Sequence, residues 1–366
     1  MELMTRIDIP ASEWKMKAGA KVLLLGSCFA DEIGEKMVRG GFEAMVNPFG
    51  TLYNPASIAA SLLRALSEKE VALPRSYEFP TVNTSLSMST TSVDRHRRHR
   101  LTDIDDVVFE DVKAGVWHSW MHHSSFSSAD PAELVARINR TTHEVAAFLR
   151  EADVLIVTFG TAIIYRLKET GMLVANCHKQ PDNLFVREWL NAYDIVDQWQ
   201  MLLQLLESVN PKLKVIFTVS PIRHKRDGYH VNQISKGILL QAVDETLQTL
   251  QTLPSPQTLP SPSLEGGSSI SANEETHGET SEQGNHSLPA GRVRGGSYFP
   301  SYEIMMDELR DYRFYADDMI HPSGVAVEYI WQRFQDTYFD NKTKDAVAKA
   351  AKEWRQSQHR QIVKNV

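Results

Sequence analysis

Cysteine is nearly absent from this chain: there are two in 366 residues, Cys28 and Cys177. So few do not make the multiply stapled framework that supports small exported domains. Long apolar runs are missing too, and no stretch approaches the roughly 20 apolar residues that span a bilayer. Positive charge is in deficit, with 39 Lys and Arg against 46 Asp and Glu and a formal net charge of -7. General binding to nucleic acid or to an anionic membrane draws on a basic surface, so neither partner is expected. The opening residues, Met1 to Pro10, lack a basic segment followed by an apolar stretch of signal-peptide length. The expected setting is therefore a reducing cytoplasm.

The chain does carry an ordinary globular composition, 42% hydrophobic and 23% charged, and enough length for a full core. Short apolar runs alternate with amphipathic stretches, the pattern of an α/β fold with parallel strands. Strands are expected at Val22–Leu25, Phe42–Val46, Val154–Phe159 and Val215–Val219. Helices are expected at Phe29–Arg39, stopped by Gly40-Gly41, and at Pro55–Leu66. A further helix should run from Pro131 to about Arg150 behind an Asp130 cap, and others over Val231–Gln251 and Tyr329–Phe339. Ala346–Gln361 reads as an amphipathic tail packed on the body or on a partner.

Between 252 and 296 the composition turns to Pro, Ser, Gly, Glu and Thr, with Leu-Pro-Ser-Pro repeated. Such a segment buries too little apolar surface to offset its ordering entropy. It is expected as an insertion within a single domain over 1–342, followed by a helical tail over 343–366. The reason is that chemistry-bearing residues lie on both sides of it. A second polar stretch, Asn83–Arg100, ends in the basic cluster Arg95–Arg100. Without interleaved aromatics, this reads as a solvated loop.

Those chemistry-bearing residues begin with Lys21-Val22-Leu23-Leu24-Leu25-Gly26-Ser27. The run is a buried strand that delivers a hydroxyl to the carboxyl edge of a parallel sheet. A helix starting directly after Ser27 offers its free N–H groups to an anion. Far along the chain, Asp318-Met319-Ile320-His321 can supply an oriented base from one loop, since a Ser hydroxyl attacks only when a base removes its proton. Asp318 fits by spacing, and Asp317 is the alternative. Cys28 is a thiol alternative to Ser27, but it should already point into the first helical turn.

Gly26-Ser27-Cys28-Phe29-Ala30 spells the name-giving motif of the GSCFA family, which resembles a branch of the SGNH hydrolase superfamily. The resemblance continues through Asn47-Pro48-Phe49-Gly50-Thr51-Leu52-Tyr53-Asn54-Pro55, Phe159-Gly160-Thr161-Ala162, Asn176-Cys177-His178-Lys179 and Ser220-Pro221-Ile222-Arg223-His224. It closes with Tyr312 through Pro322. What the resemblance implies is a three-layer flavodoxin-like fold, with a parallel sheet between helices, and ester hydrolysis through an acyl-enzyme without a metal or organic cofactor. Ser27 would be the nucleophile, His321 the base and Asp318 its orienting carboxylate. Gly50 would present a backbone N–H to the oxyanion.

The superfamily's third block is Gly-x-Asn, and here Gly160-Thr161-Ala162 puts Ala at the Asn position. Loss of one oxyanion donor costs ~3–4 kcal/mol of transition-state stabilisation. Thr161, Asn54, Asn176 and His178 are candidates to fill the place beside Gly160.

Other signals point elsewhere. His118 and His122 would share one face of a helix, which invites a metal site, although no carboxylate or thiol stands at ligand spacing. Packing by Trp117 and Trp120, with the histidines lining a pocket, is the preferred reading. Arg223 and His224 follow a strand end, either to bind a substrate anion or as a plain surface loop. The leading expectation is a serine esterase acting on a short-chain acyl ester of a polar, sugar-like or other carbohydrate substrate. The alternatives are a non-catalytic binding module on the same fold and a metal-dependent hydrolase built on the His cluster.

Overall fold

A computed structural model describes residues 5–67, 70–72, 107–252 and 296–364. Residues 253–295 of the expected 252–296 insertion and the basic cluster Arg95–Arg100 lie outside these residues.

Ten strands and eight helices follow one another among the described residues. Five strands form the central sheet: β1 (Lys21–Gly26), β2 (Glu43–Val46), β5 (Val154–Phe159), β9 (Lys214–Val219) and β10 (Gly296–Tyr298). All neighbours are parallel, in the spatial order β2-β1-β5-β9-β10. Counted along the chain within this sheet, the order is 2-1-3-4-5, the doubly wound flavodoxin-like arrangement. Its topological switch lies between β1 and β5, where crossovers leave in opposite directions and a crevice opens at the strands' carboxyl ends.

The apolar runs form these strands because both sheet faces are covered. Leu23, Leu25, Leu155, Val157, Phe217 and Val219 belong to one core cluster. Helices α2 (Pro55–Ser67), α3 (Pro131–Glu151), α4 (Ala192–Val209) and α5 (Tyr229–Thr252) cover that side. Val22, Leu24, Val154, Ile156 and Ile216 face the opposite cluster. That side is covered by α1 (Cys28–Arg39), α7 (Gly324–Tyr338) and the start of α8 (Asn341–Lys364). The result is three layers, helices on both faces of a mostly buried sheet. A short α6 (Ser301–Glu303) runs into a π turn at Ile304–Glu308.

Local signals set the helix ends. Asp130 accepts the Ala132 N–H at 2.9 Å, with Pro131 at the first helical position of α3. Helix α1 stops where the Gly40 N–H returns to the Lys36 carbonyl at 2.9 Å. The expected tail helix begins earlier, at Asn341, because Asp340 Oδ1 accepts the Thr343 N–H at 2.7 Å. Its Trp354 lies under the Arg39 guanidinium at 4.4 Å, which docks it on α1.

Two accessory sheets were not foreseen. The hairpin of β3 (Val108–Asp111) and β4 (Val116–Ser119) turns at Gly115. The other sheet joins β6 (Ile163–Leu167), β7 (Leu173–Val174) and β8 (Phe185–Trp189) in antiparallel order. The hairpin corrects one expectation: His118 is on a strand and His122 follows in a turn, so the two do not share a helical face. The reason is pairing with β3, which fixes His118 opposite Phe109. No helix among the described residues is long and apolar enough to cross a membrane.

Candidate functional site

Ser27 caps the N-terminus of α1 at the end of β1, beside the switch point of the sheet. Its backbone is extended, with φ -69° and ψ 173°, and its Oγ accepts the Phe29 N–H at 3.3 Å. Gly26 makes the junction feasible. Its φ is +144°, and a Cβ there would stand 2.2 Å from the Thr158 carbonyl oxygen of β5. The two strands meet too closely for any side chain.

A loop wraps this junction. The Gly26 N–H donates to Asn47 Oδ1 at 2.9 Å, and Leu52 N–H donates to the Gly26 carbonyl at 3.0 Å. Asn47, at a left-handed φ of 41°, also donates its Nδ2 to Asp31 Oδ1 at 2.7 Å. Burial pushes the Asp31 carboxyl up, against the hydrogen bonds from Asn47 and Thr51. Strand end, loop and first helical turn are thus tied into one unit.

The base side is equally well held. His321 Nδ1 meets Asp318 Oδ2 at 2.6 Å. Asp318 Oδ1 accepts the N–H groups of Ile320 at 2.9 Å and His321 at 3.0 Å. These bonds, the His321 backbone first, hold the Asp318 carboxyl down at about 2. Met319, with φ 57°, turns the loop, and Ala316 N–H closes it onto the His321 carbonyl at 2.8 Å. Of the two aspartates weighed, Asp318 is the one that engages the ring. No hydrogen bond joins His321 to Ser27, a contact that in such sites often tightens only around substrate.

His224 links the two sides. An ideal Cβ on Gly160 would lie 3.5 Å from Ser27 Cβ and 3.3 Å from His224 Nε2. Ser27 and His224 thus pack against the same face of Gly160, whose backbone has no room for a side chain. The Arg223 N–H reaches the Ile320 carbonyl at 3.4 Å, and the His321 charge is felt at His224. His224 is mostly buried, and burial first, then the Lys236 charge, pushes its imidazole down to about 4. Its Nε2 is buried without a hydrogen-bond partner.

The expected oxyanion donors come out differently. The Gly50 N–H donates to the Asn47 carbonyl at 2.7 Å, so in this geometry it faces a turn and not an oxyanion. What Gly50 supplies is its φ of +79° and room for His123, whose Cβ would be 2.1 Å from any Cβ added there. The Gly160 and Thr161 N–H groups both donate to the Tyr53 carbonyl, at 2.7 and 2.9 Å. The Thr161 hydroxyl is shared with Ser235 at 3.1 Å on α5. Asn54 caps α2 by accepting the Ser57 N–H at 2.8 Å.

Asn176 and His178 turn toward the β3–β4 hairpin instead. Asn176 Oδ1 accepts the His178 N–H at 2.9 Å, and His178 Nε2 donates to the Ser119 carbonyl at 2.7 Å. His178 stacks on His118 at 4.5 Å, while His122 Nδ1 pairs with Ser119 Oγ at 2.7 Å. Among the described residues, no three His, Cys, Asp or Glu side chains converge as metal ligands. The His cluster is a packed, hydrogen-bonded wall. Cys28 Sγ rests 3.6 Å from the Tyr53 hydroxyl.

Lys236 escaped sequence reasoning. It is fully buried on α5, and its Nζ donates to the Gly160 and Ser220 carbonyls, each at 2.7 Å. Burial pushes its ammonium down to about 7. The signal was present: Asn232, Ser235 and Lys236 continue the buried stripe of Leu239, Ala242 and Val243. Polar residues on the apolar stripe of a helix mark the end that faces a site.

Fold and site together define a doubly wound α/β protein with a hydroxyl at its switch point and an Asp–His pair on a neighbouring loop. The model of the GSCFA family matches residues 21–108, 79–255 and 290–334, and the chain belongs to that family. No curated protein and no solved structure matches it.

Proposed function

We propose that this protein is a serine hydrolase of ester bonds working through an acyl-enzyme. The observation that carries the reading is the 2.6 Å contact between Asp318 and His321, on a loop tied to the His224 segment by the Arg223 N–H and the Ile320 carbonyl at 3.4 Å. Asp318 stays ionised across the physiological range and fixes the tautomer that leaves His321 Nε2 as the proton acceptor. Ser27 Oγ forms a bond to the ester carbon while its proton passes to His321, and the carbonyl electron pair moves onto oxygen. Collapse restores the carbonyl and expels the alcohol, which takes the proton from His321. Water then repeats the sequence on the acyl-Ser27 bond and releases the carboxylic acid.

The substrate class in this reading is a short-chain acyl ester of a polar or carbohydrate-like alcohol. A panel of aryl esters of increasing chain length tests it. Turnover of the shortest esters, lost in both Ser27→Ala and His321→Ala, is the expected result. Turnover that survives Ser27→Ala would overturn it. The occupied Gly50 N–H favours a second reading, a binding module that retains the fold without turnover. It predicts a parent protein inert to every ester in the panel.

A further inference from the structure

The unused group beside Ser27 is His224. Its Nε2 is a buried polar atom with no hydrogen-bond partner, which a native fold tolerates only at a cost. Such an atom calls for an explanation, whether a water, an ion or a catalytic role. The His224 Nε2 and Ser27 Cβ crowd the same face of Gly160, at 3.3 and 3.5 Å from where a Cβ would stand.

The backbone amides around Ser27 and Gly160 are already engaged. Ser27 N–H donates to the Thr158 carbonyl at 3.2 Å, and those of Gly50, Gly160 and Thr161 are bound to Asn47 and Tyr53. One helix-end donor remains suited to the task, the Cys28 N–H. The Leu24 carbonyl, four residues back, lies in β1 and accepts from Asn47. A single amide is a thin support for an anion forming at a buried carbonyl.

We infer that His224, through its Nε2–H, is an oxyanion-binding residue of the Ser27 site. The inference rests on the hydrolase reading and deepens it. An uncharged donor is what the surroundings enforce: burial, the neighbouring Lys236 ammonium and His321 all disfavour an imidazolium here. The same surroundings make His224 a poor base, a task the Asp318–His321 pair is built for. Its position is held at both ends. The His224 N–H donates to Asn232 Oδ1 at 3.0 Å, and its ring stands edge-on to Tyr53 at 5.6 Å and 87°. Lys236 anchors the opposite wall through the Gly160 carbonyl at 2.7 Å. In the attack step, the electron pair leaving the carbonyl bond settles on an oxygen that accepts from His224 Nε2–H and Cys28 N–H. No proton leaves His224 at any stage.

The test uses the full chain with 4-nitrophenyl acetate as substrate and a methyl trifluoromethyl ketone as transition-state mimic. Parent activity that vanishes in Ser27→Ala establishes the reading on which the inference stands, and its absence refutes that reading. Given activity, His224→Phe should lower kcat ~100–1000-fold with KM little changed. Affinity for the ketone should fall in step. His224→Gln, which returns an N–H to about the same place, should recover part of the loss. Thermal unfolding of both variants separates this from a failure to fold. Three results would overturn the inference: full activity in His224→Phe, a loss confined to KM, or His224→Gln no better than His224→Phe when both are folded.

Discussion

At the level of single residues, the site depends on atoms that are absent as much as on those present. Gly160 is the clearest case. Alanine there would bring a Cβ to 2.9 Å from the Tyr53 carbonyl oxygen, 3.3 Å from His224 Nε2 and 3.5 Å from Ser27 Cβ, so these groups cannot all stay in place. Gly160→Ala should therefore abolish ester turnover while the protein still folds, as read by paired activity and thermal-unfolding measurements. Wild-type activity in that variant would show that turnover does not depend on their placement. Asp318→Asn makes a complementary prediction. The Asp318 carboxylate accepts three hydrogen bonds from the His321 loop, and an amide would present the wrong tautomer to His321 Nδ1. Turnover should fall by about 10⁴-fold, the scale of the equivalent change in another Ser-His-Asp site. The place of Ser27 at a strand end and the pairing of Asp318 with His321 were legible in the sequence, because strand-end Gly-Ser and Asp-x-x-His are local patterns. The donor arrangement was not. The Gly50 N–H is taken by a local turn onto Asn47, while the Gly160 and Thr161 N–H groups go to Tyr53, a partner far away in sequence.

At the level of elements, legibility followed burial. Strand β5 was read to the residue, since Val154–Phe159 is buried at every position and lies between Asp153 and Gly160. Helix α3 announced itself through Asp130 and Pro131. Strand β10 has only three half-buried residues and exists through its pairing with β9, a long-range contact that no local pattern encodes. The hairpin at His118 was misread for the same reason: its alternation is short, and pairing with β3 decided between helix and strand. Helix α5 carries the element-scale prediction. Lys236 joins the ends of β5 and β9 through two carbonyls, so Lys236→Met leaves both unpaired. Each buried orphan costs ~1–3 kcal/mol, so the urea midpoint should fall clearly. An unchanged midpoint would mean that the strand ends hold themselves.

At the level of the whole molecule, charge burial sets the pH response. Burial pushes His122 down to about 3, and His178 and His224 to about 4. In the unfolded chain such groups take up protons near pH ~6.5. Below that pH the unfolded state binds protons that the native state refuses, so stability is full above it and is lost as pH falls toward 4. Each group contributes up to ~1.4 kcal/mol per pH unit in that window. Urea titrations at pH 7.5, 6 and 5 should show stability falling steadily, and a flat profile would contradict the buried, uncharged assignment. The doubly wound sheet explains why the three histidines and Ser27 share one end of the molecule. Strand β1 ends at the switch point, and the loop after β2 and the loops after β5 and β9 converge on it.

The central claim is that Ser27 is an activated nucleophile served by His321. Incubation of the full chain with a fluorophosphonate, followed by peptide mass mapping, tests it most directly. The account predicts a single adduct on Ser27 in the parent protein and none in His321→Ala, with the fold of both verified by thermal unfolding. An adduct on Cys28, an adduct on Ser27 that persists without His321, or no adduct in the folded parent would each contradict it.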